Sequence, residues 1–400
     1  MKPLAALAAL TFAAQLQGQL QAQAPLRTQA FSLPNGLRVV LLEDHERPLV
    51  RARLHLPLEP AQGADRPGLG PLARRMLARS DAGNLKAEEF HQILARAGIE
   101  LAPSLRAEGL RWNLVARSRD QDLALGLLAD RVLRPLFEPA ILEAERLACW
   151  RDIERLTASP QGKLRQALEP DWTLQVPSLD SLTAVTFEDL QAFFVRVSRP
   201  DRAVLILHGD LGKEQAMRLV FQTFGTWTAQ PAPDLPAPAP PQADRIQAPA
   251  SGSPPWALAV AAAPPDLSPE TGALLALLLA EDPALSPAQL RVEGSDLVAS
   301  LEGMPGSDVA TLLMDRLQAL RQRGYTESDL RRARTAWSAG SALVALHPEA
   351  LMDQAVAEAR QRAATPARME ALTVDALNDA LRRWLDPARI HAGALTAPAR

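Results

Sequence analysis

The side chains best suited to metal or nucleophilic chemistry are the histidines and the cysteine, and their spacing is unfavourable for both. The six histidines are His45, His55, His91, His208, His347 and His391. No two lie three or four positions apart, so no helix face presents a pair of imidazoles to a metal ion. Cys149 has no second cysteine to pair with and falls in an apolar helical stretch, which predicts a small core residue. A G-x-S-x-G nucleophile elbow is also missing.

Length and charge restrict the classes of protein that remain. A chain of 400 residues predicts at least two folded units. Its 47% hydrophobic and 22% charged residues exclude disorder of the whole chain. The 43 basic and 46 acidic residues give a net charge of -3. This balance excludes a strongly basic surface for nucleic acid as well.

The N-terminus has the pattern of a secretory signal peptide over residues 1–24. Lys2 precedes an apolar stretch over residues 4–14, and Ala22-Gln23-Ala24 resembles a cleavage site. The apolar stretch is shorter than the roughly 20 residues that span a bilayer core, so a stable membrane anchor is not expected. We therefore predict a mature chain that is exported across the inner membrane and is periplasmic.

A proline-rich segment divides the remaining chain. Residues 229–243 contain six prolines, which cannot donate regular ladder or helix hydrogen bonds. This composition predicts a linker between an N-terminal domain, residues 25–228, and a C-terminal domain, residues 244–400.

The two halves carry a repeat. Thr186, Leu190, Pro200 and Arg202 recur as Thr373, Leu377, Pro387 and Arg389, always 187 positions later. A constant offset over four identities indicates internal duplication. Each copy reads as a helix that begins after a threonine cap, a proline turn and a strand. The predicted fold class is therefore α+β, with two homologous units, each a mainly antiparallel sheet with helices packed on one face.

The order of several short motifs resembles the insulinase/pitrilysin peptidases, which include the subunits of the mitochondrial processing peptidase. The motifs are Leu33-Pro34-Asn35-Gly36-Leu37-Arg38-Val39-Val40, Gly68-Leu69 before a helix, residues 182–209, and Phe224-Gly225-Thr226-Trp227. The resemblance covers roughly residues 30–400 and implies the duplicated α+β fold of that family. Active members carry an H-x-x-E-H motif just after the Gly-Leu pair, whose histidines bind zinc and whose glutamate activates water.

This chain departs from the zinc motif at every functional position. Pro71 and Arg75 stand where the two histidines belong, and Arg74 stands where the glutamate belongs. Neither proline nor a protonated guanidinium offers a lone pair to a metal. Asp152, 77 positions after Arg75, matches the last ligand of the family, and Glu145 matches an acid that supports it. The resemblance therefore implies no catalytic residues, no zinc and no other cofactor.

Two interpretations of these degenerate positions remain open. In one, Arg75, together with Arg74, pairs with Asp152 or Glu145 and fills the vacated metal site with opposite charges. In the other, both arginines lie on a solvated helix face.

A substrate-binding residue is also implied in the second half. Family members hold substrate with an Arg and a Tyr seven positions apart; the chain keeps Arg291 and has Val298 at the tyrosine position. Arg291 is accordingly the predicted peptide contact, and a solvated arginine is the alternative. Tyr325, the only tyrosine, is predicted to pack locally in a turn.

Three functions remain, and the family resemblance favours the first. The chain is predicted to be an inactive peptidase homologue that pairs with an active zinc peptidase subunit of the same family and helps to form its peptide-binding chamber. The second is a stand-alone structural or peptide-binding protein without a protease partner. A hydrolase with an unrecognised site is the third.

Overall fold

The computed structural model describes residues 27–58, 68–106, 109–159, 162, 164–165, 168, 179–231, 247–249, 255–264, 266–293, 296–303, 308–344, 347–360 and 366–396. The predicted signal peptide, residues 1–24, lies outside these ranges, as does the predicted linker beyond residue 231. Among the described residues, no helix combines the length and the apolar composition needed to cross a membrane.

Strands and helices are interspersed along the described chain. The strands are β1 (Arg27–Ser32), β2 (Arg38–Glu43), β3 (Leu49–Pro57), β4 (Asp81–Ala82), β5 (Glu100–Arg106), β6 (Gly109–Arg117), β7 (Pro135–Leu136), β8 (Val204–Gly209), β9 (Gln247–Pro249), β10 (Trp256–Ala262), β11 (Gln289–Glu293), β12 (Asp296–Glu302) and β13 (Ile390–Thr396). The helices are α1 (Leu69–Arg79), α2 (Ala87–Ala97), α3 (Gln121–Leu133), α4 (Pro139–Thr157), α5 (Leu179–Ala184), α6 (Phe187–Val197), α7 (Lys213–Phe224), α8 (Pro269–Glu281), α9 (Val309–Arg323), α10 (Glu327–Val344), α11 (Pro348–Ala359), α12 (Pro366–Ala371) and α13 (Val374–Trp384).

The described strands form two large sheets that share one strand order, and β4 and β7 form a separate two-stranded sheet. The first sheet runs β1-β2-β8-β3-β6-β5, and the second runs β9-β13-β10-β12-β11. In each sheet one pair is parallel, β2 with β8 and β9 with β13, and the other neighbours are antiparallel. Apart from the additional edge strand β1, the second sheet therefore repeats the first strand for strand.

The helices before the last strand of each half repeat with the same offset. Both bounds of α5 and α12 differ by 187 positions, and so do both bounds of α6 and α13. Thr186 and Thr373 begin α6 and α13, and each hydroxyl accepts a hydrogen bond from the amide three residues later. The predicted α+β fold of two homologous units is thus confirmed.

A tight turn joins two motifs of the family resemblance in space. Gly36 has a φ of 91°, and a Cβ there would lie 2.8 Å from the Cα of Asp201. The side-chain amide of Asn35 donates to the carbonyl oxygens of Phe224 and Trp227, at 2.8 and 3.0 Å. The Asn-Gly turn therefore connects the start of the first sheet to the end of α7.

Each sheet also has a helical segment from the other half on its second face. Most helices of the first half share one core with the inner face of the first sheet. On its outer face, Val204 and Ile206 pack against Met352, Ala355 and Val356 of α11. Reciprocally, Leu164 and Leu168 pack on the outer face of the second sheet. Because alternate residues of a strand point to opposite faces, both faces of these apolar strands are buried.

Candidate functional site

Helix α1, which carries the degenerate motif, lies tightly against the edge strand β5. Gly68 precedes the helix with a φ of 103°, a conformation that glycine adopts without steric cost. A Cβ at Gly70 would lie 2.8 Å from Cδ2 of Leu105, so the glycine permits this close approach. Leu69, Leu72 and other apolar residues bury the remaining face of the helix.

Arg131 fixes the other end of α1. Its guanidinium is buried, donates to the carbonyl oxygens of Ser80 and Leu77, and stacks on the Phe90 ring at 3.9 Å. Burial lowers the pKa of Arg131 to about 10, while nearby Asp81 opposes the shift, so the side chain stays charged at neutral pH. These carbonyls have no partner inside the helix, and a cation at this end stabilises it.

Arg75 joins the two acids that the sequence analysis selected. Its Nε donates to Oε2 of Glu145 at 3.0 Å, and its Nη1 donates to Oδ2 of Asp152 at 2.7 Å. Glu145 and Asp152 stand seven positions apart on α4, two helical turns along one face. The side chains of Arg75 and Glu145 are only 18% and 12% exposed, so this arginine does not lie on a solvated helix face.

Asp152 is held from two sides. Its Oδ2 accepts from Arg75, and its Oδ1 accepts from Arg155, one turn further along α4. Glu145 has a more distant neighbour in Arg79, whose Nε lies 3.9 Å from Oε1. The two carboxylates that the sequence resemblance assigns to a metal site are therefore engaged by guanidinium groups, which carry positive charge and offer no lone pair.

Pro71 and Arg74 take no part in this network. Pro71 is buried, and half-buried Arg74 lines a cavity of about 500 Å³ between α1, α4 and β5. Sequence reasoning found Arg74 but missed Arg106 and Arg155, which line the same cavity. Their signal is weak because Arg106 belongs to a strand some 30 residues away, and only the packing of β5 brings it close to α1.

Cys149 is buried and lines the same cavity. Burial raises the pKa of its thiol, and this effect exceeds the opposing influence of Arg74 and Arg75. A thiol that stays protonated at neutral pH is a poor nucleophile, in agreement with the prediction of a small core residue.

The histidines are scattered over both halves of the structure. Nε2 of buried His55 accepts from Arg360 at 2.8 Å, and Nδ1 of exposed His45 lies 2.8 Å from Asp210. His208 is buried in β8, and burial lowers its pKa, with Asp44 opposing that shift. Within the described ranges, no three or more His, Cys, Asp or Glu side chains are grouped to hold a metal ion.

The two remaining sequence candidates, Arg291 and Tyr325, lie in different parts of the second half. Arg291 lies in the edge strand β11, directly opposite Val298 of β12, so the Arg and Tyr positions of the family motif are cross-strand neighbours. The side chain of Arg291 is outside what the structure describes, and its substrate contact stays a prediction. Tyr325 is buried in the hydrophobic core of the second half. Its backbone amide donates to the side-chain oxygen of Asn378, as a locally packed turn residue would.

The comparisons with known proteins agree with this architecture. The family model described as the Peptidase M16 inactive domain matches residues 184–279. No curated protein is similar enough in sequence to count as a match.

Solved structures share the fold over almost the whole chain. A protease from Helicobacter pylori is 17% identical with a TM-score of 0.72, covering 93% of this chain and 100% of its own. A peptidase M16 inactive domain from Pseudomonas fluorescens is 18% identical with a TM-score of 0.73, covering 94% and 98%. The periplasmic protease PqqL from Escherichia coli is 16% identical with a TM-score of 0.72, covering 94% of this chain but 46% of PqqL.

Proposed function

We propose that this chain, which the family match and the fold identify as an insulinase-type protein without the zinc motif, is the non-catalytic subunit of a two-chain peptidase. Its partner would be an active zinc metallopeptidase subunit of the same family, and the two would enclose a peptide-binding chamber. The observation that supports the proposal is the ion-pair network of Arg75, Glu145 and Asp152. It lies at the positions to which the sequence resemblance assigns the zinc ligands of active members.

The network gives this subunit a structural reason to persist without catalysis. A proline and two arginines leave no ligand for zinc on α1, yet the two acids of α4 keep a positively charged partner. Removing one partner of this partly buried network would leave the other charge uncompensated, so loss of Arg75 should weaken the packing of α1 on α4. The cavity beside them remains open to a peptide.

The length of PqqL supports pairing. This chain corresponds to less than half of that protease, so PqqL is long enough to hold two units of this size in one polypeptide. In our proposal the second unit is a separate chain. The predicted signal peptide and the periplasmic location of PqqL support the periplasm as the compartment.

Co-expression with a neighbouring family member that keeps an intact H-x-x-E-H motif tests the proposal. We expect one peak in size-exclusion chromatography at micromolar concentration and faster peptide hydrolysis than by the active subunit alone. Replacing the glutamate of the partner's motif should abolish hydrolysis without separating the chains. Separate elution together with unchanged hydrolysis would contradict the proposal and favour a stand-alone peptide-binding protein.

A further inference from the structure

Arginines outnumber acids in the lining of the cavity beside Arg75. Arg74, Arg106 and Arg155 line it, and Asp152 is the only acid among the described lining residues. Both oxygens of Asp152 already accept hydrogen bonds, from Arg75 and Arg155. Its negative charge is therefore engaged within the protein.

Arg74 and Arg106 are left available. In the part of the chain that the structure describes, neither side chain makes a hydrogen bond or an ion pair with another residue. Arg74 is half-buried on α1, and Arg106 is exposed at the end of β5. Two guanidinium groups that line one cavity, with no carboxylate partner among the described residues, form a site for an anion, and their forked donors match a carboxylate in particular.

Apolar side chains also line the cavity. They belong to Pro71, Leu105, Ile153 and Leu156, and Leu156 is 46% exposed although it is a large hydrophobic residue. A volume of about 500 Å³ lies within the range of ligand pockets. The complementary occupant is an anionic group on an apolar stem.

Edge strand β5 favours binding of a peptide's end over binding of a peptide that continues along the sheet edge. β5 is the outer strand of the first sheet, and it contains Pro103, which lines the cavity. Proline has no amide hydrogen, so an extended peptide added along β5 would lose a ladder hydrogen bond at this position. A peptide whose C-terminus lies in the cavity needs fewer main-chain hydrogen bonds from the edge of β5, so it is less affected by Pro103.

We propose that this cavity binds the C-terminal carboxylate of a peptide whose last side chain is apolar, with Arg74 and Arg106 as the carboxylate ligands. This inference deepens the proposed function by naming the class of peptide, and only its biological role depends on that function. Binding to the isolated chain needs no partner subunit, so it tests the inference separately.

The test uses fluorescence anisotropy of the full chain with three labelled hexapeptides. The first ends in leucine with a free carboxylate, the second is its C-terminal amide, and the third is an amide with an internal aspartate. Because hydrogen bonds to a charged group contribute about 1.5–3 kcal/mol, the free acid should bind roughly 10- to 100-fold more tightly than either amide. Arg74→Met and Arg106→Met should each remove most of that preference, with unchanged thermal unfolding.

Arg151→Met is the matched control, because Arg151 is an exposed arginine of α4 that does not line the cavity. It should keep the affinity and the preference of the unsubstituted chain. The proposal is overturned if no peptide binds, if acid and amide bind equally, or if Arg151→Met weakens binding as much as Arg74→Met. Equal binding of the aspartate-containing amide would assign the cavity to acidic side chains instead of chain ends.

Discussion

Nη1 of Arg75 lies 2.7 Å from Oδ2 of Asp152, although the two residues are 77 positions apart. The same guanidinium reaches Glu145 through Nε. One side chain of α1 thus bridges two acids of α4, at the positions where the sequence resemblance implies a zinc site in active insulinase/pitrilysin peptidases.

Removing this arginine should destabilise the fold. Arg75→Met leaves the buried Glu145 carboxylate without its nearest partner, and we expect the free energy of unfolding to fall by about 1.5–3 kcal/mol. Urea denaturation at neutral pH measures it. Arg79→Met is the control on the same helix: its side chain is 64% exposed and 3.9 Å from Glu145, so its loss should cost less than about 1 kcal/mol. Equal effects of the two variants would contradict the bridging role.

The acids provide a second check of the same network. Glu145→Gln added to Arg75→Met removes the orphaned charge, so the double variant should be more stable than the sum of the two single losses predicts. A purely additive result would show that Arg75 and Glu145 do not interact energetically.

Introducing the H-x-x-E-H motif on α1 should create a metal site. Pro71→His, Arg74→Glu and Arg75→His recreate H-x-x-E-H on α1, and Asp152→Glu lengthens the acid at the position of the last ligand. We expect zinc to bind with a stoichiometry near one by atomic absorption, and to raise the unfolding free energy by about 2.7 kcal/mol when free zinc is 100 times the dissociation constant. Arg75→His alone should bind no zinc. A folded fourfold variant without zinc would show that α1 and α4 no longer have the geometry of a metal site.

The contact between α11 and the first sheet should depend on Arg53. This residue is 5% exposed, donates to Oδ1 of Asp353 at 2.6 Å and to the carbonyl of Glu349 at 3.1 Å, and also pairs with the Glu349 carboxylate. Arg53→Met should lower the free energy of unfolding by about 1.5–3 kcal/mol and speed hydrogen exchange across α11. Glu358→Ala, an exposed change on the same helix, should do neither. Unaltered exchange in Arg53→Met would mean that apolar packing alone holds the helix.

His208 should make the protein less stable in mild acid. Burial lowers its pKa below the ordinary 6.5, Asp44 opposes the shift and Arg51 adds to it. Between the folded and unfolded pKa values the unfolded state binds more protons, so stability is retained above about pH 6.5 and lost as the pH falls. Unfolding free energies at pH 7.5 and 5.5 should differ less in His208→Gln than in the unsubstituted chain. An identical pH dependence would exclude His208 as a contributor.

Much of the fold follows from local patterns in the sequence. Thr186 and Thr373 are both helix caps, and their spacing of 187 positions recurs in the bounds of the helices they begin. Caps, turns and apolar periodicity depend on neighbours a few residues away, which is why a sequence alone can indicate them. The packing of α11 on the first sheet, and of Leu164 and Leu168 on the second, has no such local signal.

The candidate site likewise combines features that the sequence indicates with features that only the tertiary structure shows. Side-chain identity at Pro71, Arg74 and Arg75 by itself determined that α1 offers no metal ligand, because that conclusion needs only the chemistry of each residue. Only the tertiary structure decided that Arg75 binds both acids, and that Arg74 and Arg106 line one cavity. Those relationships join segments 30 to 80 positions apart, and such contacts are set by how helices and strands pack together, which residue spacing does not encode.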